Sequence, residues 1–401
     1  MLLKDRVLAA SEEGITITDP SLPDNPLIYV NRGFERLTGY SAQEVLGRNC
    51  RFLQGAQTDQ DAAEEIRRAV REQRPCAVEI LNYRKDGSMF WNRLSVTPVR
   101  DSSGRVTHYI GIQSDVTARR LAEDALREAT RQLEAANARM KRDLEAAARI
   151  QRALLPSPDL RLPGVDAAWA FQPTAELAGD LLNIFPLGSD HVGFYVLDVS
   201  GHGVPAALVS MAVTRLLTPA PGRSVLFRAD EDRPGEYRLS PPSSAVLRLN
   251  EFFPFDPRTA QYFTLVYCLL NWASGELRYT AAGHIPPIFV SGAGEVRLLE
   301  SGGPPVGLLT SPEIAEHAVH LEPGDRIYLC TDGIIEVENE NGEEFGMDRL
   351  LDRFGDACRL KVKDSVQFVL ASVRDWGGPS GLIDDATILA VERIRSSPVG
   401  R

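Results

Sequence analysis

The chain has 401 residues, of which 43% are apolar and 25% charged, and its formal net charge at pH 7 is −11. This length is too great for one ordinary hydrophobic core and predicts two domains with a connecting segment. The acidic balance argues against nucleic acid and against an anionic membrane surface as partners. No run of 18 apolar residues is present, and the first residues lack the apolar stretch of a signal peptide.

The cysteines indicate the compartment. They are odd in number, widely scattered and never in a CxxC pair; they are Cys50, Cys76, Cys268, Cys330 and Cys358. This pattern predicts a reducing, cytoplasmic location without a disulfide framework or a zinc finger.

Residues 1–117 alternate strand-like runs with helical stretches and predict a small α+β domain. Two strands are expected between residues 15 and 30. A helix is expected over residues 58–73, with Thr58 as its N-cap. The runs CAVEILNYR and MFWNRLSVTPVR, joined by KDGS, predict a hairpin, and a last strand ends in QSDVT.

Residues 118–155 contain no glycine and are rich in Ala, Glu, Arg and Leu. One apolar residue recurs every seven positions, at Leu126, Leu133, Met140, Ala147 and Leu154. The pattern predicts a coiled coil that joins two copies of the chain in parallel. A single solvated helix is the alternative.

Residues 156–401 alternate strand runs with helices, and several strands are apolar almost throughout. Such strands indicate sheets that are covered on both faces. The stretch Pro219–Ser244 is rich in Pro, Arg, Ser and Glu and is expected to be a mobile excursion.

The string GRNCRFLQG, residues 47–55, places Cys50 between a polar amide and a guanidinium. A buried core cysteine is the common fate of a lone thiol, so these residues alone leave two interpretations open. Residues 15–117 resemble the LOV domains, the flavin-binding branch of the PAS family. The resemblance rests on GRNCRFLQG, on NYRKDGSMFWN in the hairpin and on GIQSDVT in the last strand.

The LOV resemblance implies FMN and a cysteinyl adduct formed by Cys50 in blue light. It implies ring contacts by amide and leucine side chains, and a phosphate held by two arginines; the residues concerned are Asn49, Arg51, Leu53, Gln54, Arg67, Asn82, Asn92 and Leu94. Gln113 would transmit the change, because an amide can exchange donor for acceptor by flipping. The alternative for Gln113 is an ordinary strand glutamine.

Aspartates stand at the ends of several apolar runs in the C-terminal part: Asp180 in AGD, Asp198 in DVSGHG, Asp332 in CTDG, and Asp384 with Asp385 before ATILAV. Any one of them could be a turn or cap residue. As a set they favour hard cations such as Mg²⁺ or Mn²⁺, and a two-metal site that activates water for phosphoryl transfer. Neither a CxxxxxR loop nor a Walker motif is present.

Residues 146–394 resemble the SpoIIE-like branch of the type 2C (PPM) serine/threonine phosphatases, in RIQRALLP, DVSGHGVPAALVSM, AAGHIPP, CTDGIIEVEN and DDATILAV. The resemblance implies an α/β/β/α sandwich holding two Mn²⁺ or Mg²⁺. Asp198 and the carbonyl of Val199 would bridge the metals, with Asp180, Asp332 and Asp384 completing them. His284 is expected to be structural. One departure is Asn183, where the family often has Asp, which puts metal affinity in doubt.

The sequence therefore predicts a multidomain α+β protein: residues 1–117 a LOV sensor, 118–155 a coiled-coil helix, and 156–401 a phosphatase. The predicted function is blue-light control of a protein serine/threonine phosphatase, and the resemblance implies a phosphorylated anti-anti-sigma (STAS-type) substrate. Two alternatives remain: a flavin redox sensor without photochemistry, and a phosphatase-like module that binds without catalysis.

Overall fold

The computed structural model describes residues 8, 10–157 and 159–395, which fall into two compact units, Met1–Ala138 and Arg139–Arg401. The boundary lies inside one long helix rather than at a loop. The prediction of three domains at 1–117, 118–155 and 156–401 stays a prediction. Among the described residues, no helix is both long and apolar enough to cross a membrane.

The first unit is an antiparallel five-stranded sheet with short helices. Its strands are β1 (Gly14–Thr18), β2 (Leu27–Val30), β3 (Cys76–Tyr83), β4 (Met89–Arg100) and β5 (Val106–Asp115), in the order β2-β1-β5-β4-β3. Its helices are α1 (Arg32–Thr38), α2 (Ala42–Val45), the 3₁₀ turn Cys50–Leu53 and α3 (Gln60–Arg71). The predicted strands and hairpin are present.

The predicted N-cap of α3 was wrong by one residue. The side chain of Asp59 caps the helix by accepting from the Asp61 N–H. Thr58 is occupied elsewhere, because its hydroxyl donates to the Leu81 carbonyl at 2.7 Å and accepts from the Gly55 N–H at 3.0 Å. Thr58 therefore fastens the loop to strand β3.

The predicted helical connector is one helix of 36 residues, α4 (Thr117–Arg152). Its first turn packs on the first unit: the Thr117 hydroxyl accepts from the Trp91 N–H at 2.8 Å. Its last turns pack in the second unit, where Ala148 lies against Leu177 and Ala207.

The second unit is a four-layer sandwich of helices, two sheets and helices. Its strands are β6 (Val165–Gln172), β7 (Leu181–Leu187), β8 (His191–Val199), β9 (Phe227–Ala229), β10 (Tyr237–Leu239), β11 (Phe263–Asn271), β12 (Glu276–Ala282), β13 (Ile288–Val290), β14 (Val296–Leu298), β15 (His317–His320), β16 (Arg326–Cys330) and β17 (Ala386–Arg393). One sheet has the order β15-β12-β11-β8-β7 and the other β14-β13-β16-β17-β6, and each described pairing in them is antiparallel. Strands β9 and β10 form a separate hairpin.

Apolar side chains fill three layers of this sandwich. Helices α5 (Val204–Leu216) and α6 (Pro242–Phe252) cover the first sheet, and α7 (Gly346–Asp356) and α8 (Val362–Gly377) cover the second. A third layer, with Phe194 and Leu389, lies between the sheets. The α/β/β/α expectation is confirmed. Burial on both faces explains why these strands lack a two-residue alternation.

The stretch Pro219–Ser244 has more structure than expected. It contains the β9–β10 hairpin and the first turn of α6. Val225 and Leu226 are fully buried in the core beneath α5 and α6. The polar composition of this stretch gave no indication that these two residues are buried.

Candidate functional sites

The first unit contains a cavity of about 500 Å³ between its sheet and the segment Asn49–Arg71. Its wall combines apolar side chains with a few polar groups, as cofactor cavities do. All ten predicted flavin-contacting residues line it: Asn49, Cys50, Arg51, Leu53, Gln54, Arg67, Asn82, Asn92, Leu94 and Gln113. The fold thus brings residues from three strands and two helical segments to one void.

Three buried amides form a row along the sheet. The Asn92 amide nitrogen donates to Asn82 Oδ1 at 2.8 Å and to Gln113 Oε1 at 3.1 Å. Asn92 Oδ1 is buried and has no hydrogen-bond partner among the described residues. A buried acceptor without a donor is costly, and the imide N–H of an isoalloxazine is a donor of the right kind. The polar end of the cavity therefore fits a flavin.

Cys50 opens the 3₁₀ turn and lines the cavity beside Leu53. The Asn49 side chain fixes this turn: its oxygen accepts from the Arg51 N–H at 3.1 Å, and its nitrogen donates to the Asp24 carbonyl at 2.6 Å. Burial raises the pKa of the Cys50 thiol to about 12. The thiol is thus protonated at neutral pH, as a donor of both sulfur and proton must be.

The two predicted phosphate-binding arginines lie at the rim. Arg51 bonds the Asp24 carboxylate at 2.7 and 2.9 Å, and Arg67 is paired with Glu64. Both guanidinium groups are largely exposed, which suits the phosphate end of a flavin nucleotide. Arg71, four residues after Arg67 on the same helix, also lines the cavity; helical spacing could have identified it.

The sequence interpretation missed several strand residues of the wall, including Thr16, Tyr109 and Gly111. A Cβ on Gly111 would meet Thr16 Oγ1 at 2.5 Å. Tyr109 closes one side by donating its hydroxyl to the Val70 carbonyl at 2.8 Å. Strand alternation on β5 was the available signal, since residues 109, 111 and 113 share a face.

The predicted metal-binding aspartates meet where the two sheets of the second unit end together. Asp180 precedes β7 and Asp198 lies near the end of β8, and these strands are paired. Asp332 follows β16 and Asp384 precedes β17, which are likewise paired. Two hydroxyls from the second sheet reach across to Asp180 Oδ2: Thr331 donates at 2.8 Å and Thr387 at 2.6 Å.

The carboxylates repel one another. Burial, and then the charges of Asp332 and Asp384, raise the pKa of Asp198 to about 7. Burial and the charge of Asp198 raise the pKa of Asp180 well above its usual range. The pKa of Asp332 is raised by burial and then by Asp384. Such a concentration of oxygen donors and negative charge suits a hard divalent cation.

The donors are neighbours without forming a closed coordination sphere. Across the described ranges, no group of three or more His, Cys, Asp or Glu side chains converges closely enough to hold a metal ion. The donor chemistry of these oxygens fits Mn²⁺ or Mg²⁺.

The loop before Asp180 is held from the second sheet. Asp385 accepts from the Gly179 N–H at 2.8 Å and from the Thr174 N–H at 2.8 Å. A Cβ on Gly179 would lie 2.9 Å from the Val199 carbonyl oxygen, so this glycine allows the backbones to approach. Asp385 thus orients a neighbouring loop.

Helix α4 holds the same loop from the other side. The fully buried Gln151 amide donates to the Ala178 carbonyl at 2.7 Å and accepts from the Ala178 N–H at 3.1 Å. Asn183 donates to the Leu154 carbonyl at 3.3 Å. The residue that departs from the family pattern is therefore used to bind the segment after α4.

Two further residues of the second unit, His284 and Glu336, have shifted pKa values. His284 is buried, its Nδ1 lies 3.0 Å from the Ile285 carbonyl, and burial lowers its pKa to about 4. It is therefore neutral at physiological pH. Glu336 was not predicted, yet burial and then the charge of Asp332 raise its pKa. Its position four residues after Asp332 in the sequence could have indicated that it lies near the aspartates.

Comparisons with known proteins identify the families of both units. Residues 188–394 match the family described as Stage II sporulation protein E (SpoIIE), and residues 12–118 match a PAS domain. The SiaA-PP2C domain of Pseudomonas aeruginosa superposes with a TM-score of 0.54 at 23% identity, over 64% of this chain and 98% of that one. This similarity shows the fold of the second unit.

The first unit has relatives that respond to light. It is 48% identical over 104 residues to phototropin-2 of Oryza sativa subsp. japonica, covering 26% of this chain and 12% of that protein. It is 50% identical over 101 residues to the blue-light-activated histidine kinase of Brucella abortus (strain 2308), covering 25% and 21%. The chain thus spans about a fifth or less of these relatives.

Fold, site and comparisons define a LOV light-sensing domain joined to a PP2C-type phosphatase domain, as the motifs predicted. The chain belongs to the SpoIIE family, whose model covers slightly more than half of it.

Proposed function

We propose that this chain is a blue-light-regulated, metal-dependent protein serine/threonine phosphatase. The observation that carries the proposal is the course of helix α4. It starts two residues after strand β5, which contains Gln113, and near its end Gln151 is bonded to Ala178, two residues before Asp180. A change at the cavity thus has a continuous helix along which to reach the carboxylates.

In the sensor, a bound FMN would supply blue-light absorption and a ring that accepts a thiol. Cys50 would give its sulfur and its proton from the cavity wall. Asn82 and Asn92 would orient the ring through their buried amides, and Leu53 and Leu94 would pack on it. Gln113 shares a hydrogen bond with Asn92 and would exchange its amide donor for its acceptor, which alters the bonding of strand β5.

In the phosphatase, two Mn²⁺ or Mg²⁺ ions would supply a water of lowered pKa and neutralise phosphate charge. Asp198 and the Val199 carbonyl would be shared ligands, and Asp180, Asp332 and Asp384 would complete the set. The proposed substrate is a phosphorylated protein in the cytoplasm, of the anti-anti-sigma (STAS) class. Membership of the SpoIIE family is what supports that class of substrate.

The proposed assembly is a parallel homodimer through α4. Leu126, Leu133 and Met140 are 68%, 61% and 58% exposed in the single chain, in one heptad stripe. Replacing both leucines, Leu126→Glu with Leu133→Glu, should give a monomer by sedimentation. Arg131→Glu, on another side of the helix, is the matched control and should remain dimeric. A double variant that stays dimeric would contradict the assembly.

The function is tested by hydrolysis of an aryl phosphate by the full chain with Mn²⁺, in darkness and in blue light. A rate that depends on light supports sensor, catalyst and coupling together. A rate that ignores light leaves a phosphatase without this switch, and unchanged flavin absorption under blue light would then favour a redox sensor. Metal-independent partner binding without turnover would favour a binding module.

A further inference from the structure

A groove of about 720 Å³ opens in the second unit between the end of strand β6 and the end of helix α8. Its walls include the apolar side chains of Phe171 and Leu382 and the polar ones of Gln172 and Thr174. A smaller cavity of about 350 Å³ adjoins it, sharing Phe171 and adding Trp169. The groove and the adjoining cavity thus share the apolar side chain of Phe171.

Two arginines, Arg152 and Arg374, line this groove. Both are exposed. Within the part of the chain that the structure describes, neither forms an ion pair, and none of the residues lining the groove is acidic. Arg374 is oriented by a hydrogen bond from its Nε to Gln172 Oε1 at 3.1 Å. On a chain of net charge −11, this is a local cationic site.

The groove is connected to the carboxylate centre through Asp385, which precedes strand β17. Gln172 is the register partner of Ala386, which follows Asp385 directly. Thr174, on the groove wall, donates its N–H to Asp385 Oδ1 at 2.8 Å and its hydroxyl at 3.2 Å. A peptide whose phosphorylated residue reached Asp384 would continue along this wall.

We propose that the groove binds an acidic segment of the phosphoprotein substrate, next to the phosphorylated residue. The inference rests on the proposed phosphatase function and adds a substrate preference to it. Guanidinium forks pair with carboxylates in a defined geometry, so Arg152 and Arg374 select Glu and Asp side chains. Phe171 and Trp169 contact the aliphatic parts of the same segment.

The test uses the full chain with Mn²⁺ and two phosphopeptides of equal length. One carries three glutamates beside the phosphoserine, and the other carries glutamines at those positions. The unmodified protein should show a KM about tenfold lower for the glutamate peptide, with similar kcat. Arg152→Gln with Arg374→Gln should abolish this difference by raising that KM. Added salt should do the same, since exposed charges are screened.

Arg359→Gln is the matched control, because Arg359 is exposed and does not line the groove. Its neighbour Leu360 accepts a hydrogen bond from Arg326, which begins strand β16, whereas Asp332 follows the other end of that strand. It should keep the preference. Equal KM values for both peptides on the unmodified protein would overturn the proposal, as would a double variant that retains the difference.

Aryl phosphate hydrolysis separates this outcome from failure of the proposed function. If the protein hydrolyses neither the aryl phosphate nor the peptides, the phosphatase function fails. Fluorescence anisotropy of the labelled peptides then tests whether the groove binds the acidic segment. Tighter binding of the glutamate peptide that disappears in the double variant supports the groove; equal binding overturns it. Thermal melting of each variant checks that it is folded.

Discussion

The flavin cavity and the carboxylate centre are built under opposite electrical conditions. Away from the arginines at its rim, the cavity is lined by neutral amides and a protonated thiol, and Asn92 already bonds both Asn82 and Gln113. In the carboxylate centre, burial and then the charges of neighbouring acids raise the pKa of Asp198 to about 7. Packing alone can shape the flavin cavity, whereas repulsion between the carboxylates opposes their assembly in the second unit.

The comparison shows which site should respond to conditions. The part of the cavity formed by amides and the thiol is neutral, so protons and salt should affect it little, and its shape depends on side-chain volume. A cluster of buried acids binds protons or cations in competition, so its stability and geometry depend on both.

Asp198→Asn should reduce Mn²⁺-dependent hydrolysis of an aryl phosphate by at least about 100-fold, because it removes a shared ligand of the proposed metals. Flavin absorption and its bleaching by blue light should be unchanged. Asp352→Asn, an exposed aspartate on α7, is the control. If the variant's turnover were within tenfold of the unmodified protein, Asp198 would not be an essential ligand of the metals.

Cys50→Ala should abolish bleaching of the flavin absorption and bring the ratio of light to dark phosphatase rates to one. The dark rate itself should change less than about twofold, because the substitution lies in the other unit. Cys76→Ala is the matched control, since Cys76 is half-buried but does not line the cavity. A light response that persists without Cys50 would exclude the thiol as the reacting group.

Without metal, the phosphatase unit should lose stability as pH rises. The folded pKa of Asp198 is about 7 against an ordinary 3.8, so the folded state binds the proton more tightly than the unfolded state between these values. Stability is then greatest below about pH 4 for this group and falls as pH rises towards 7. Thermal melting in EDTA measures this.

Saturating Mn²⁺ should raise the melting temperature most at pH 7 to 8, because the cation replaces the proton as the partner of the acids. A metal-free melting temperature that rises steadily from pH 5 to pH 8 would contradict the effect of the buried acids. The flavin cavity provides the internal comparison: bleaching should be constant between pH 6 and 9, since the Cys50 pKa is about 12.

Asn183→Asp should have the smallest effect. It restores the acid that the family often has, but it removes the amide donor to the Leu154 carbonyl. We expect a loss of about 1 kcal/mol of unfolding free energy and no gain in Mn²⁺ affinity. Denaturant unfolding and metal titration measure the two quantities. A clear gain in affinity would show that Asn183 weakens the centre.

The LOV motif and its spacing were sufficient to predict ten of the side chains that line the cavity, but not Thr16, Tyr109 or Arg71. The reason is that the cavity is built from short-range elements: a turn around Cys50 and a hairpin that carries Asn82 and Asn92. The sequence also predicted the long helix, because its periodicity continues without a glycine or proline. It misplaced a helix cap at Thr58, because a tertiary bond to Leu81 competes for that hydroxyl.

Strands β6 and β7 were not predicted as elements, since WAF and LLNIFPL lack a distinctive period. The tertiary structure alone decided how the acids are supported. Thr331 and Thr387 reach Asp180 only because two sheets stack, and that stacking leaves no local pattern.

What the sequence determined by itself was the inventory of chemistry: a cysteine in the LOV motif, four aspartates at strand ends, and a helix between them. Only the tertiary structure decided that Gln151 holds the loop of Asp180 and that Arg152 and Arg374 line one groove. Local sequence patterns carry information only about residues that are close together along the chain. Contacts between residues hundreds of positions apart depend on how whole sheets and helices pack.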